Sequence, residues 1–131
     1  MKSALEYFAE KHERLMRCYS VGEYWIENCG LIAEGIAREL LHEGKEPEIL
    51  GFKGEYLNKR NKLKHKPLIP KPLSKGKVSW LAHFVCLCDD FVYDPIFKEP
   101  IRKKEYLSKM FHQEVIEFIE FTKKQIKFKF S

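Results

Sequence analysis

Cys29, His83 and Asp94 are the residues whose types and order along the chain could do covalent chemistry. A thiol becomes an effective nucleophile only as the thiolate, and a place in the first turn of a helix lowers its pKa through unpaired amides and the helix dipole. Cys29 stands at the head of NCGLIAEGIARELLHEG, where Asn28 can cap the helix, an apolar stripe runs through Cys29, Ile32, Ala33, Ile36 and Leu40, and Gly44 marks the stop. Gly30 leaves room for a carbonyl to approach the sulfur, and Asn28 or the amides around Cys29 could contribute to an oxyanion hole.

His83 and Asp94 are brought together by a hairpin. The run VSWLAHFVCLC is rich in β-branched and aromatic residues, Asp89 and Asp90 supply a two-residue turn, and FVYD returns as the second strand before Pro95. That register pairs Cys88 with Phe91 and Val85 with Asp94, so His83, two residues beyond Val85, shares a face with Asp94. Diagonal neighbours of this kind lie roughly 7–8 Å apart at the backbone, within reach of a His–Asp hydrogen bond. Such a bond fixes the imidazole tautomer and leaves the other ring nitrogen to take a proton from a thiol. Singly, each residue has an ordinary explanation: cysteines are commonly buried, a histidine can be satisfied in a core, and Asp before Pro is a common turn. It is their joint placement that singles them out.

The elements that must position these residues follow from periodicity. Between Ser3 and Arg17, Ala4, Leu5, Phe8, Ala9, Leu15 and Met16 recur at helical spacing and predict an amphipathic first helix. In the stretch CYSVGEYWIEN, Gly22 is a turn and Tyr24 and Trp25 an aromatic pair close to Cys29, with Trp25 a candidate substrate contact. Gly35 inside the second helix costs roughly 1 kcal/mol relative to Ala, which predicts close packing against a neighbour. EPEILGFKGEYL reads as a strand, and 58–77, with Pro67, Pro70 and Pro72, as a long basic loop, so that 53–77 forms a basic insertion between strands. A short helix is expected from Arg102 to Met110. VIEFIEFTKKQIKFKF fits helix or strand, with Ile126, Phe128 and Phe130 alternating with lysines in favour of a final strand. The order of elements is that of an α+β domain.

With the nucleophile at a helix start, the base on a later strand and the acid at the end of the next, the chain resembles the papain-like and transglutaminase-like superfamily. The matching pieces are NCGLIAEGIARELLHEGKEP, WLAHFVCL and VYDP, spanning roughly residues 22 to 97. The resemblance implies N-terminal helices packed on an antiparallel sheet, with Cys29, His83 and Asp94 as a catalytic triad. It also implies hydrolysis or transfer at a protein amide, as in proteases, glutamine deamidases, transglutaminases or acyltransferases. The small papain-fold toxin and effector domains of bacteria are similar in size, which implies a dedicated inhibitory or immunity partner. Two positions depart from the peptidases: no aromatic residue follows Cys29, and Glu23 stands where relatives keep an oxyanion-hole Gln.

Size and composition agree with one globular unit. The 131 residues are 44% hydrophobic, with ten Phe and six Tyr, enough for one core and too few for two. No stretch approaches the roughly eighteen consecutive apolar residues of a membrane span. Charges run through MKSALEYFAEKHERLMR where a secretory signal would be apolar, so a cytoplasmic protein is expected, with delivery to another cell or host still open. Cys18, Cys29, Cys86 and Cys88 read as free thiols rather than a disulfide framework. Cys86 and Cys88, opposite the His83 face, read as small core residues, and a lone Cys-x-Cys argues against a zinc site. No cofactor is expected, and His12, His42, His65 and His112 lack comparable company.

The net charge of +5 is unevenly spread: Lys53 to Lys77 holds nine Lys or Arg against the single Glu55. Such a segment attracts an acidic protein, a membrane surface or nucleic acid. Without a stacking platform or helix-turn-helix pattern an acidic protein is the preferred partner over nucleic acid. The rival to an enzyme is therefore a binding module that holds an acidic protein or nucleic acid through this segment.

Overall fold

The computed structural model describes residues 2–20, 29–57, 60, 63–73 and 80–130. Trp25 and Asn28, and Gly22, Glu23 and Tyr24 with them, lie outside the described residues. The first helix, α1, is Ala4–Ser20; the Ser3 hydroxyl accepts from the Glu6 amide at 3.1 Å and donates to the Glu6 carboxylate at 3.2 Å, which starts the helix at the expected place. The second, α2, is Cys29–His42. It stops where expected: Gly44 takes φ +79°, its amide bonds Leu41 O at 2.9 Å, and the Lys45 amide bonds Leu40 O at 3.0 Å. Those bonds and a left-handed glycine make a Schellman stop.

The strands are β1 (Glu48–Leu57), β2 (Leu63–Lys66), β3 (Ala82–Cys88), β4 (Phe91–Tyr93), β5 (Ile101–Arg102) and β6 (Ile116–Phe121), and α3 (Lys103–Met110) lies between β5 and β6. All pairings are antiparallel in the order β2-β1-β3-β4-β5, with β6 also on β1. The protein is thus α+β with an antiparallel sheet, and none of its described helices is long and apolar enough to cross a membrane.

Alternation along β1 and β3 sends side chains to two cores. Ile49, Cys86 and Cys88 join Phe8 of α1 and Ile32, Ile36 and Leu40 of α2 on one face. Leu50, Phe52, Val85 and Leu87 meet Tyr106 and Met110 of α3 on the other. Cys86 and Cys88 are therefore core residues, on the face away from His83.

Two expectations are corrected. The segment 53–77 is not one inserted loop: β1 runs to Leu57 as its sequence predicts, but Leu63–Lys66 pairs back on it and Lys71–Leu73 form a 3-10 turn. Leu68, fully buried and bridged to Trp80, supplies the apolar anchor that draws this basic stretch onto the second core. The tail ends not in a strand but in a helix, α4 (Lys123–Lys129). Thr122 and Gln125 form a capping box, with Thr122 N donating to Gln125 Oε1 at 2.8 Å and Gln125 N to Thr122 Oγ1 at 3.2 Å. Ile126 and Phe130, four apart, turn toward the first core, while Phe128 is 85% exposed, so the apparent alternation conceals a helical period.

The packing expected of Gly35 is against α1: a Cβ there would run into the hydroxyl and ring of Tyr7. Gly35→Ala should destabilise the wild type by about 1–3 kcal/mol through overpacking, yet stabilise a Tyr7→Ala background by about 0.5–1 kcal/mol through helix propensity. Urea unfolding of the four proteins measures that change of sign.

Candidate active site

The β3–β4 hairpin forms in the register expected from its sequence. Asp89 and Asp90 both take left-handed φ, 50° and 69°, as a type I′ turn requires. The pairs are Cys88 with Phe91, Leu87 with Val92 and Cys86 with Tyr93. One step further the chain leaves the sheet at Asp94 and Pro95, and the Asp94 side chain turns under His83. His83 Nε2 and Asp94 Oδ2 are 2.8 Å apart, with His83 4% and Asp94 1% exposed. A carboxylate only accepts, so Nε2 carries the proton and Nδ1 is left for another partner.

Asp94 accepts three hydrogen bonds. Beside the His83 bond, Oδ2 accepts from the Tyr106 hydroxyl at 2.5 Å, and Oδ1 accepts from the Ile96 amide at 3.1 Å. Burial alone would push this carboxyl up; the His83 charge and the bonds from His83, Tyr106 and Ile96 outweigh it and hold the pKa below the ordinary value. Asp94 is therefore a buried anion. The Tyr106 hydroxyl moves the other way, raised well above its usual range by burial and by the adjacent carboxylate, and stays a neutral donor. His12 of α1 secures the same turn, its Nδ1 donating to Pro95 O at 2.7 Å.

The buried anion sets the charge of His83. Burial would depress the imidazole, but the charge and hydrogen bond of Asp94, followed by Cys29, raise its pKa to about 10. The Trp80 ring lies parallel to the imidazole at 4.4 Å between centroids and 12° between planes, and covers one face of it.

Cys29 completes the row. Because β4 ends at Tyr93, the β3 edge at His83 and Phe84 is not paired with β4, and the first residue of α2 meets the strand there. Cys29 stands beside His83 and Phe84 in one wall, where the imidazole and the Phe84 backbone both act on the thiol. With Nε2 held by Asp94, the His83 contact falls to Nδ1. Burial raises the thiol pKa and the Asp94 charge adds to that, but the His83 bond and charge and the Phe84 amide prevail, and Cys29 lies below the ordinary thiol value. Cys86 and Cys88 are both raised, with burial the first cause. Both shifts favour moving the thiol proton onto the imidazole.

No family model, characterised protein or solved structure matches this chain. Its function must be argued from the site.

A cavity of about 310 Å³ opens onto the row, with Cys29, His83 and Asp94 in its wall and Leu15, Ile32 and Trp80 giving it an apolar lining. Of the residues singled out from sequence, the fold unites Cys29, His83 and Asp94; Gly30, half-buried, lines a neighbouring cavity instead. Sequence reasoning missed Tyr106, Trp80 and His12. Tyr106 and Met110 share the buried face of α3, a spacing that marks core, and nothing local ties that tyrosine to an acid twelve residues earlier. Among the described residues no group of three His, Cys, Asp or Glu side chains is placed to hold a metal ion.

The sign of the pH dependence follows from these shifts. With its pKa raised from 6.5 to about 10, His83 contributes stability that is complete below pH 6.5 and lost as pH rises toward 10. Asp94→Asn removes the partner of a buried charge, and the expected loss is about 3–5 kcal/mol near pH 6. The gap from wild type should narrow as pH approaches 10, measured by urea unfolding at a series of pH values. Iodoacetamide should label Cys29 below the ordinary thiol range, and His83→Ala should move that labelling to higher pH, read residue by residue by mass spectrometry.

Proposed function

We propose that this protein is a cysteine-dependent hydrolase acting on a protein amide, either a peptide bond or a glutamine side chain, with a papain-like or transglutaminase-like fold. The observation that carries the reading is the ordered row Cys29–His83–Asp94, in which the thiol is lowered, the imidazole raised and the carboxylate buried as an anion. Support for the fold assignment comes from the position of the nucleophile, at the start of a helix packed on an antiparallel sheet whose adjoining strands supply base and acid.

In this mechanism the Cys29 thiolate attacks the carbonyl carbon and the carbonyl electrons move onto oxygen. As the tetrahedral intermediate collapses, the carbon–nitrogen bond breaks, His83 gives its proton to the departing nitrogen, and a thioester remains on Cys29. Water then attacks the thioester with His83 taking its proton; the carbon–sulfur bond breaks and the carboxylic acid leaves. Asp94 stays ionised throughout and holds the ring so that Nδ1 faces the sulfur. Tyr106 and the Ile96 amide keep the carboxylate from rotating.

The test is turnover on a panel of glutamine-containing peptides and unfolded proteins, following new amino termini for proteolysis and ammonia for deamidation. Cys29→Ala should abolish either signal and leave the unfolding transition close to that of the wild type; turnover retained in that variant overturns the proposal. For the active protein, kcat/KM should describe a bell whose rising limb lies below the thiol value of 9.0 and whose falling limb lies near the His83 value of about 10.

A further inference from the structure

A second cavity, of about 270 Å³, lies on the other side of Phe84 from the first. Phe84 lines both, and the start of α2 is divided between them, Cys29 facing the first and Gly30 and Leu31 the second. A chain laid across the sulfur from one cavity would therefore enter the other. The second cavity has apolar walls in Leu31, Ile49, Phe84 and Phe121, and it also carries the carboxylates of Glu34 and Glu120.

Those carboxylates are not equivalent. Glu34 has a side chain only 19% exposed, and its Oε1 accepts from Lys129 Nζ at 2.5 Å. That ammonium also stands 5.2 Å from the Phe121 ring centre and 5.7 Å from that of Phe130. Lys129 lines the adjoining pocket that shares Phe121, so an alkyl ammonium is already held at the edge of this cavity by a carboxylate and two aromatic faces, the pairing that makes a partly desolvated cation favourable. Glu120, one residue before Phe121 on β6, has no ion pair among the described residues. With Glu34 and Lys129 cancelling, Glu120, exposed at the rim, leaves one uncompensated carboxylate beside the apolar walls of the cavity.

We propose that this cavity is the subsite that selects the substrate: it takes a basic side chain, Lys or Arg, next to the attacked carbonyl. The aliphatic stem lies along Leu31, Ile49 and Phe84, and the cationic head lies against Glu120 and Glu34. Lys129, reaching Glu34 from the adjoining pocket, neutralises that carboxylate when no substrate is bound and is displaced from it by the substrate's cation. The inference rests on Cys29 as the nucleophile and adds to it the chemical class of the substrate.

The experiment compares two probes of similar shape, N-(4-aminobutyl)chloroacetamide with a cationic tail and N-butylchloroacetamide with a neutral one. In each, the Cys29 sulfur displaces chloride to form a thioether, and the site-specific rates are read by mass spectrometry. The cationic probe should label Cys29 at least tenfold faster in the wild type. The ratio should fall to near unity in Glu120→Gln/Glu34→Gln, and the cationic probe alone should speed up in Lys129→Met. Equal rates in the wild type, a preference that survives loss of both carboxylates, or no gain in Lys129→Met overturns the subsite. The neutral probe separately tests the nucleophile: if its pH dependence at Cys29 is that of an ordinary thiol and indifferent to His83→Ala, the proposed function fails, while the ratio of the two probes still decides the charge preference.

Discussion

A carboxylate taken out of water is costly unless its lone pairs are met, and Asp94 meets that requirement with His83, Tyr106 and the Ile96 amide. Much of the surrounding architecture serves this arrangement. The type I′ turn fixes the register that brings Asp94 under His83, α3 delivers the Tyr106 hydroxyl, and His12 of α1 holds the following carbonyl. With Asp94 an ion, the imidazole above it is a stronger base, and it becomes a cation by taking the Cys29 proton on Nδ1. The reactivity of the sulfur is thus set two residues away from it, at the end of a hydrogen-bonded row.

The second constraint is the shortness of β4. A strand of three residues leaves part of the β3 edge without that partner, and α2 delivers its first residue to the gap. The sulfur there meets the Phe84 backbone as well as the imidazole, so helix start, strand edge and base converge on one atom. α2 is held in place by Ile32, Ile36 and Leu40, which are almost fully buried against the sheet. Burial of such side chains contributes roughly 1.5–3 kcal/mol each, enough to fix the helix start against the strand. Cys86 and Cys88 show the opposite outcome for the same residue type: on the core face, away from any cation, burial raises their pKa and they pack as small apolar groups.

Phe84 joins the thiol row to the two cavities. It alternates with His83 along β3, supplies its backbone to the sulfur, and stands between the apolar cavity and the one that carries carboxylates. A short hydrophobic strand thereby gives the site its base from one residue and the dividing wall of its cleft from the next.

Local patterns were sufficient for much of this. The start and stop of α2, the Asp89-Asp90 turn and the hairpin register are written in short-range signals, and the register alone implied the His83–Asp94 contact, because period-two alternation allows only one face for each residue. Where two periods overlap, sequence was ambiguous: Ile126, Phe128 and Phe130 fit a strand or a helix, and the Thr122–Gln125 capping box together with burial of Ile126 selected the helix. The basic stretch after β1 read as a loop because its composition is that of solvated surface, whereas its fold depends on buried Leu68 and on bridges to Trp80 and Phe111. Only the tertiary structure could bring Tyr106, Trp80 and His12 to the Cys29–His83–Asp94 row, place Glu34 and Glu120 on one cavity, and pair Glu34 with Lys129 from the adjoining one. Those meetings join separate elements, and they depend on how helices and sheet pack rather than on any spacing along the chain.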